Sequence, residues 1–235
     1  MRALDHVDSI CNDLEASVAF YEALGFKILQ RTKNHGGANR PPIETVELYL
    51  PAQPWCVLEL HEARFFEIVG LNHIAFVCDD VEARAAALSE RGFSMDNVRL
   101  NPDNQRWLAS FRDRDGRRLQ LASPRHDAVP TDSSSSGPVE RLVQVELRTH
   151  HATAIAEQYA ILGLASDGDV LHPEQREPSL LVAAPRPGQR CGFGALAFAA
   201  PDLDAVAARL DAPHERVDGA LHTWDPDGNA VRIGG

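Results

Sequence analysis

The sequence predicts an α+β fold built from four βαβββ modules, and three observations predict it. First, "LDHVDSICNDLEASVAFYEALGF" from Leu4 and "LVQVELRTHHATAIAEQYAILGL" from Leu142 align without a gap, which marks an internal repeat. Second, "FVCDDVEARAAALSERGF" pairs with "FAAPDLDAVAARL", and "FRDRDGRRLQL" pairs with "TWDPDGNAVRI", so each half contains two units. Third, within a unit a strand-like run leads into a segment with apolar residues at helical spacing, and three shorter strand-like runs follow.

The first module opens with a strand over Asp5 to Cys11. Leu14, Val18, Tyr21 and Leu24 then recur on one helical face, with a cap at Asn12 or Asp13 and a stop at Gly25. Strands are expected near Lys27 to Arg31, Thr45 to Leu50 and Cys56 to Leu60. In the second module they are expected near Ser94 to Leu100, Trp107 to Arg112 and Arg118 to Ala122, with Asp115-Gly116 supplying the positive-φ residues of a tight hairpin.

Residues 125–138, "RHDAVPTDSSSSGP", are polar, with four consecutive serines and two prolines, and read as a linker. The domains are therefore expected at 1–124 and 139–235.

Composition narrows the function. At 235 residues and 44% hydrophobic, the chain can build real cores. Acidic residues outnumber basic ones 34 to 23, and a formal charge of −11 offers no basic patch for a phosphate backbone, so a nucleic-acid partner is not expected. There is no apolar leader at the N-terminus and no run of about eighteen apolar residues, so no membrane partner and a cytoplasmic location are expected. Cys11, Cys56, Cys78 and Cys191 are widely spaced, without a CxxC pair, and read as small buried hydrophobes.

The βαβββ order, "FYEALGF" closing a helix, "HIAFVCDD" opening the next unit and a "DxDGxxxxL" hairpin together resemble the vicinal oxygen chelate superfamily. That superfamily includes glyoxalases, epimerases, extradiol dioxygenases and bleomycin-resistance binding proteins. The resemblance covers nearly the whole chain apart from the linker and is clearest over residues 4–122. It implies four modules paired into two cup-shaped, glyoxalase-like domains, with metal ligands on the first and last strands of paired modules.

Those positions in the first half are His6, Glu59, His73 and Gln120, from "LDHVD", "CVLELHE", "GLNHIAF" and "RRLQLAS". Two imidazoles, a carboxylate and an amide oxygen suit Fe, Mn, Co, Ni or Zn with positions left open for substrate. Each alone has an ordinary reading: His73 as a core histidine, Glu59 as a solvent-facing strand glutamate, His6 and Gln120 as strand polar residues. His61 shares a strand face with Glu59 and is the reserve ligand. The carboxylate falls in the first module and the amide in the second, the reverse of the arrangement expected for the epimerases. In the second half the matching positions are Gln144, approximately Leu181, Ala195 and Arg232, a set no metal would choose.

The resemblance then implies a metal-dependent lyase or isomerase that chelates adjacent oxygens of a small substrate and stabilises an enediolate-like intermediate, with Glu59 as catalytic base. One alternative is an Fe(II) extradiol-type dioxygenase using His6, His73 and Glu59, although two-domain members of that kind generally carry iron in the second half. Another is a bleomycin-resistance-like binding protein. Arg31 and Asn34, in a loop that could close over an anionic substrate, and Trp107 are candidate substrate contacts. The partner is a small molecule, and a homodimer stays open.

Overall fold

A computed structural model describes residues 1–35 (backbone only at 34 and 35), 42–101, 104–125, 137–175 and 177–235. The first module runs β1 (Leu4–Cys11), α1 (Leu14–Ala23), β2 (Lys27–His35), β3 (Pro42–Leu50) and β4 (Gln53–Glu62); the second runs β5 (Gly70–Val77), α2 (Val81–Glu90), β6 (Arg99–Asn101), β7 (Arg106–Arg112) and β8 (Arg118–Ala122). The third is β9 (Arg141–Arg148), α3 (Ala152–Ile161), β10 (Ala165–Asp167), β11 (Val170–His172) and β12 (Ser179–Ala183). The fourth is β13 (Gly192–Ala199), α4 (Leu203–Ala207), β14 (His214–Val217), β15 (Ala220–Trp224) and β16 (Ala230–Gly234).

These strands make two curled eight-stranded sheets, ordered β2-β3-β4-β1-β5-β8-β7-β6 and β10-β11-β12-β9-β13-β16-β15-β14. The second order is the first advanced by eight, so the sequence repeat is a repeat of topology. Each sheet has the opening strands of its two modules side by side at its centre. Contacts cluster into two compact units: Met1–His6, His73–Ala128 and Gln144–Gly194 in one, Val7–Asn72, Val129–Val143 and Ala195–Gly235 in the other.

Local signals explain the helix ends. The Asp13 side chain accepts from Ala16 N at 3.0 Å, Asp80 from Ala83 N at 2.9 Å, and Asp202 from Asp204 N and Ala205 N, satisfying donors that a first helical turn leaves orphaned. Gly25 follows α1 at φ +103°, where a side chain would be strained. Tyr21, on the face predicted from Leu14, Val18 and Leu24, is fully buried, and β1 is buried along its whole length. Each large core side chain such as Phe76 or Leu119 contributes about 1.5–3 kcal/mol of transfer free energy.

Some expectations shift. β6 is only three residues long, against the longer strand expected from Ser94. In the hairpin at Asp115-Gly116 only Gly116 takes positive φ, at +83°, because Asp113 closes the turn by accepting from the backbone N–H groups of Asp115 and Arg117. Cys11, Cys56 and Cys78 are buried free thiols as expected, but Cys191 is exposed. Among the described residues no helix is long and apolar enough to cross a membrane.

Candidate functional site

His6 sits on β1 and His73 on β5, both buried, at 4% and 6% exposure. Their Nε2 atoms face each other at 3.1 Å, with ring planes crossed at 82°. The other nitrogen of His6 is fixed: Nδ1 lies 2.7 Å from Asp5 Oδ2. Burial pushes the Asp5 carboxyl up, but the hydrogen bond and charge of His6, with the Arg106 guanidinium, outweigh it and hold Asp5 well below the usual carboxylate range. An ionised Asp5 only accepts, so His6 Nδ1 carries a proton and donates to it, and Nε2 is the nitrogen that His6 turns to His73.

Asp5 is itself clamped. Arg106 donates to both carboxylate oxygens, at 2.7 and 2.9 Å, and to the Ser123 carbonyl, all of it buried. Neither Asp5 nor Arg106 stands out from the sequence pattern that marks His6 and His73. The available signal was the adjacency "DH" in "LDHVD", since a carboxylate on the far nitrogen is the usual partner of a metal-ligating imidazole.

A divalent ion fits this pair. Two nitrogens each about 2.1 Å from one ion, at angles between octahedral and tetrahedral, stand about 3.0–3.4 Å apart. The observed 3.1 Å lies within that range. Among the described residues no group of three or more His, Cys, Asp or Glu side chains is placed to hold a metal ion, and the pair by itself offers two nitrogens.

Gln120 belongs to the same compact unit as the pair. It is buried on β8, where Ala75 of β5 is its register partner, and its Nε2 donates to Ser110 Oγ at 3.4 Å. Glu59 and His61 are on β4, in the other unit. Glu59 is the register partner of Glu47 and His61 of Thr45, so Glu59 and Glu47 sit side by side on one face, an arrangement that favours a nearby cation. His61 Nδ1 is engaged by Asp8 Oδ2 at 2.9 Å, and Asn72 Nδ2 reaches Asp8 Oδ1 at 2.6 Å. Burial alone would lower the His61 pKa, but Asp8, with Glu59 and Glu67, raises it above its ordinary value. As a ligand His61 could offer only Nε2.

The weaker substrate contacts fare differently. Arg31 spends its guanidinium on Glu15, at 2.5 and 3.0 Å, and on Glu44, at 3.0 Å, so it is committed to surface ion pairs. Trp107, half-exposed at 50%, pairs with Leu100 on the face of β7 opposite to Ser110 and Gln120. It therefore cannot line the face that carries Gln120. The Asn34 side chain lies outside the described residues.

The second sheet serves as an internal control. In the first sheet β5 and β8 pair His73 with Arg118 and Ala75 with Gln120; in the second, β13 and β16 pair Ala195 with Ala230 and Ala197 with Arg232. The registers match residue for residue, and an imidazole becomes a methyl group. Gln144, the counterpart of His6, hydrogen-bonds Ser179 Oγ at 3.4 Å.

The model of the Glyoxalase/Bleomycin resistance protein/Dioxygenase superfamily matches residues 3–121. The uncharacterized proteins YwkD of Bacillus subtilis (strain 168) and YaeR of Escherichia coli (strain K12) are 27% and 28% identical over 129 residues, 52% of this chain and 96% and 95% of theirs. Among solved structures, homoprotocatechuate 2,3-dioxygenase from Arthrobacter globiformis superposes with a TM-score of 0.74 at 18% identity, over 99% of this chain and 79% of that one. The 2,3-dioxygenase LapB from Pseudomonas sp. KL28 gives 0.70 at 14%, over 98% and 91%. At such identities the structural likeness speaks for the fold, while the sequence match over half the chain speaks for descent: the protein belongs to the glyoxalase, bleomycin resistance protein and dioxygenase superfamily.

Proposed function

We propose that this protein is a metal-dependent enzyme that binds adjacent oxygens of a small substrate and catalyses proton abstraction at a neighbouring carbon, as a lyase or isomerase. Residues 1–124 form its catalytic half and residues 139–235 a copy without ligands, joined by 125–138. The observation that carries the reading is the buried Nε2-to-Nε2 pairing of His6 and His73 at 3.1 Å, with His6 Nδ1 fixed by Asp5.

His6 and His73 would hold the ion, and Gln120 and Glu59 would be the oxygen donors, assigned from their strand positions. When bound, a divalent Fe, Mn, Co, Ni or Zn ion supplies Lewis-acid stabilisation of negative charge on the chelated oxygens, worth several kcal/mol of barrier. Asp5 keeps the His6 lone pair aimed, which no protonated carboxyl could do as well. Glu59 takes the C–H proton onto its carboxylate, and Gln120, steadied by Ser110, orients a substrate oxygen.

A second reading, an extradiol-type dioxygenase on the same residues, draws support from the four-module match to homoprotocatechuate 2,3-dioxygenase across 99% of this chain. Anaerobic purification with elemental analysis, followed by deuterium exchange into α-hydroxycarbonyl compounds and oxygen uptake with catechols, separates the two. Stoichiometric metal that vanishes in His73→Ala, with exchange lost in Glu59→Gln at full metal content, supports the first reading. Catechol-dependent oxygen uptake supports the second, and a wild-type protein that takes up no metal sinks both.

A further inference from the structure

In the first sheet the row of side chains containing His73 continues across the strands: Arg118 of β8 is its register partner, and Arg112 of β7 is the register partner of Arg118. The next row is Ala75, Gln120 and Ser110. Register partners share a face and stand about 5 Å apart, so Arg118 flanks the imidazole on the face that carries Gln120. The hydrogen bonds agree, since Arg118 Nη2 and Gln120 Nε2 both donate to Ser110 Oγ, at 3.2 and 3.4 Å.

Arg118 is half-buried, and that neutral hydroxyl is the one hydrogen-bond partner of its guanidinium among the described residues; no carboxylate there pairs with it. The three strands β5, β7 and β8 contain no Asp or Glu, in a chain where acidic residues outnumber basic ones 34 to 23. Arg112, beside it, turns Nη1 to the Gly116 carbonyl at 2.6 Å. Holding a guanidinium in a half-buried position without a counter-charge is costly, and the fold does not ask for it: Ala230 stands at the matching register position of the second sheet. The second copy thus has Ala195 where the first has His73 and Ala230 where the first has Arg118, lacking imidazole and guanidinium together.

We propose that the substrate carries an oxyanion, a carboxylate or a phosphoryl group, and that Arg118 binds it beside the imidazole pair. This rests on the reading of His6 and His73 as the site of chemistry and adds the substrate class. A guanidinium fork matches either group through two parallel hydrogen bonds and selects against neutral analogues of the same shape.

The test titrates chelator-treated and Mn(II)-loaded full-length protein with inorganic phosphate and with benzoate by calorimetry. It uses wild type, Arg118→Met, Arg118→Lys and the exposed control Arg209→Met, with folding checked by circular dichroism. At least one oxyanion is expected to bind wild type at one site, with Kd weakened about tenfold or more in Arg118→Met, weakened less in Arg118→Lys, and unchanged in Arg209→Met. Phosphate binding alone assigns a phosphoryl group and benzoate binding alone a carboxylate. Should Arg118→Met not fold, a loss in Arg118→Lys, which keeps the charge but not the fork, carries the same meaning. Equal binding, or none, in wild type and the Arg118 variants overturns the proposal. Arg118-dependent oxyanion binding in a protein that takes up no Mn(II) would keep the oxyanion site and remove the metal reading.

Discussion

His6 and His73, 67 residues apart in the chain, meet Nε2 to Nε2 at 3.1 Å in a buried setting. Two buried imidazole nitrogens at this spacing match the separation of two ligands on one divalent ion. Addition of Mn(II) or Fe(II) at a hundred times Kd is expected to stabilise the protein by about 2.7 kcal/mol, on the order of 5–10 °C in Tm. His6→Ala and His73→Ala should each abolish the shift. A thermal melt in which either variant responds to metal as the wild type does would remove the pair from the site.

Asp5 has two tasks that a double substitution can separate. Asp5→Asn leaves Arg106 buried without its counter-charge, and the expected loss is about 3–5 kcal/mol by urea unfolding. It also frees His6 Nδ1, which should weaken metal binding roughly 10- to 100-fold. Replacing both partners, Asp5→Leu with Arg106→Met, should restore much of the stability and none of the metal affinity. Recovery of both together would mean that Asp5 serves the fold alone.

The contrast between His6 and Asp5 also shows what the chain makes legible. The modules, the caps at Asp13 and Asp80 and the strands bearing His6 and His73 follow from local pattern and repeat, because alternation, helical spacing and capping act over a few residues. The partners of those strands are set by register across the sheet. Adjacent strand residues ordinarily point to opposite faces, so the adjacency of Asp5 to His6 does not by itself place the carboxylate on the ring, and nothing local says that Arg106, 101 residues on, reaches Asp5. Trp107 is a candidate lining aromatic from sequence, but only the pairing of Ser110 with Gln120 shows that it lies on the face of β7 opposite to Gln120. Arg31 read as a loop cation because its partner Glu15 lies on a helix formed earlier in the chain.

The repeat has an alkaline signature. Tyr21 of α1 donates to Asp225 at 2.8 Å and Tyr159 of α3 to Asp113 at 3.1 Å, the same contact made once in each compact unit. Burial first, and the neighbouring carboxylate second, push both phenols well above 10. A raised folded pKa gives stability that is complete below the unfolded value near 10 and is lost as pH climbs, because the unfolded chain releases the proton and the native one keeps it. Stability should fall by about 1.4 kcal/mol per pH unit above 10 for each tyrosine. Tyr21→Phe should cost about 1.5–3 kcal/mol at pH 8, through the lost bond to Asp225, and then decline less steeply. Urea midpoints from pH 8 to 11.5 measure both, and an unchanged alkaline slope in Tyr21→Phe would contradict the assignment.

Gly25 and Gly92 form a matched pair for testing how residues 137–139 are anchored. Both follow a helix at positive φ, +103° and +88°, so alanine at either meets the same left-handed penalty of about 1–2 kcal/mol. Their surroundings differ. A Cβ on Gly92 meets nothing within 4 Å, whereas on Gly25 it would stand 2.6 Å from Gly137 Cα and 3.0 Å from Pro138 Cδ. The close approach is held by Val139 N donating to Leu24 O at 3.1 Å, and backbone pinned in this way cannot step aside as a flexible side chain would. Gly25→Ala should therefore cost clearly more than Gly92→Ala, by about 1–3 kcal/mol in urea unfolding. It should also raise amide hydrogen exchange at Val139, because relieving the contact means giving up that bond. Equal losses in the two variants would mean that residues 137–139 yield freely and contribute nothing to holding α1 in place.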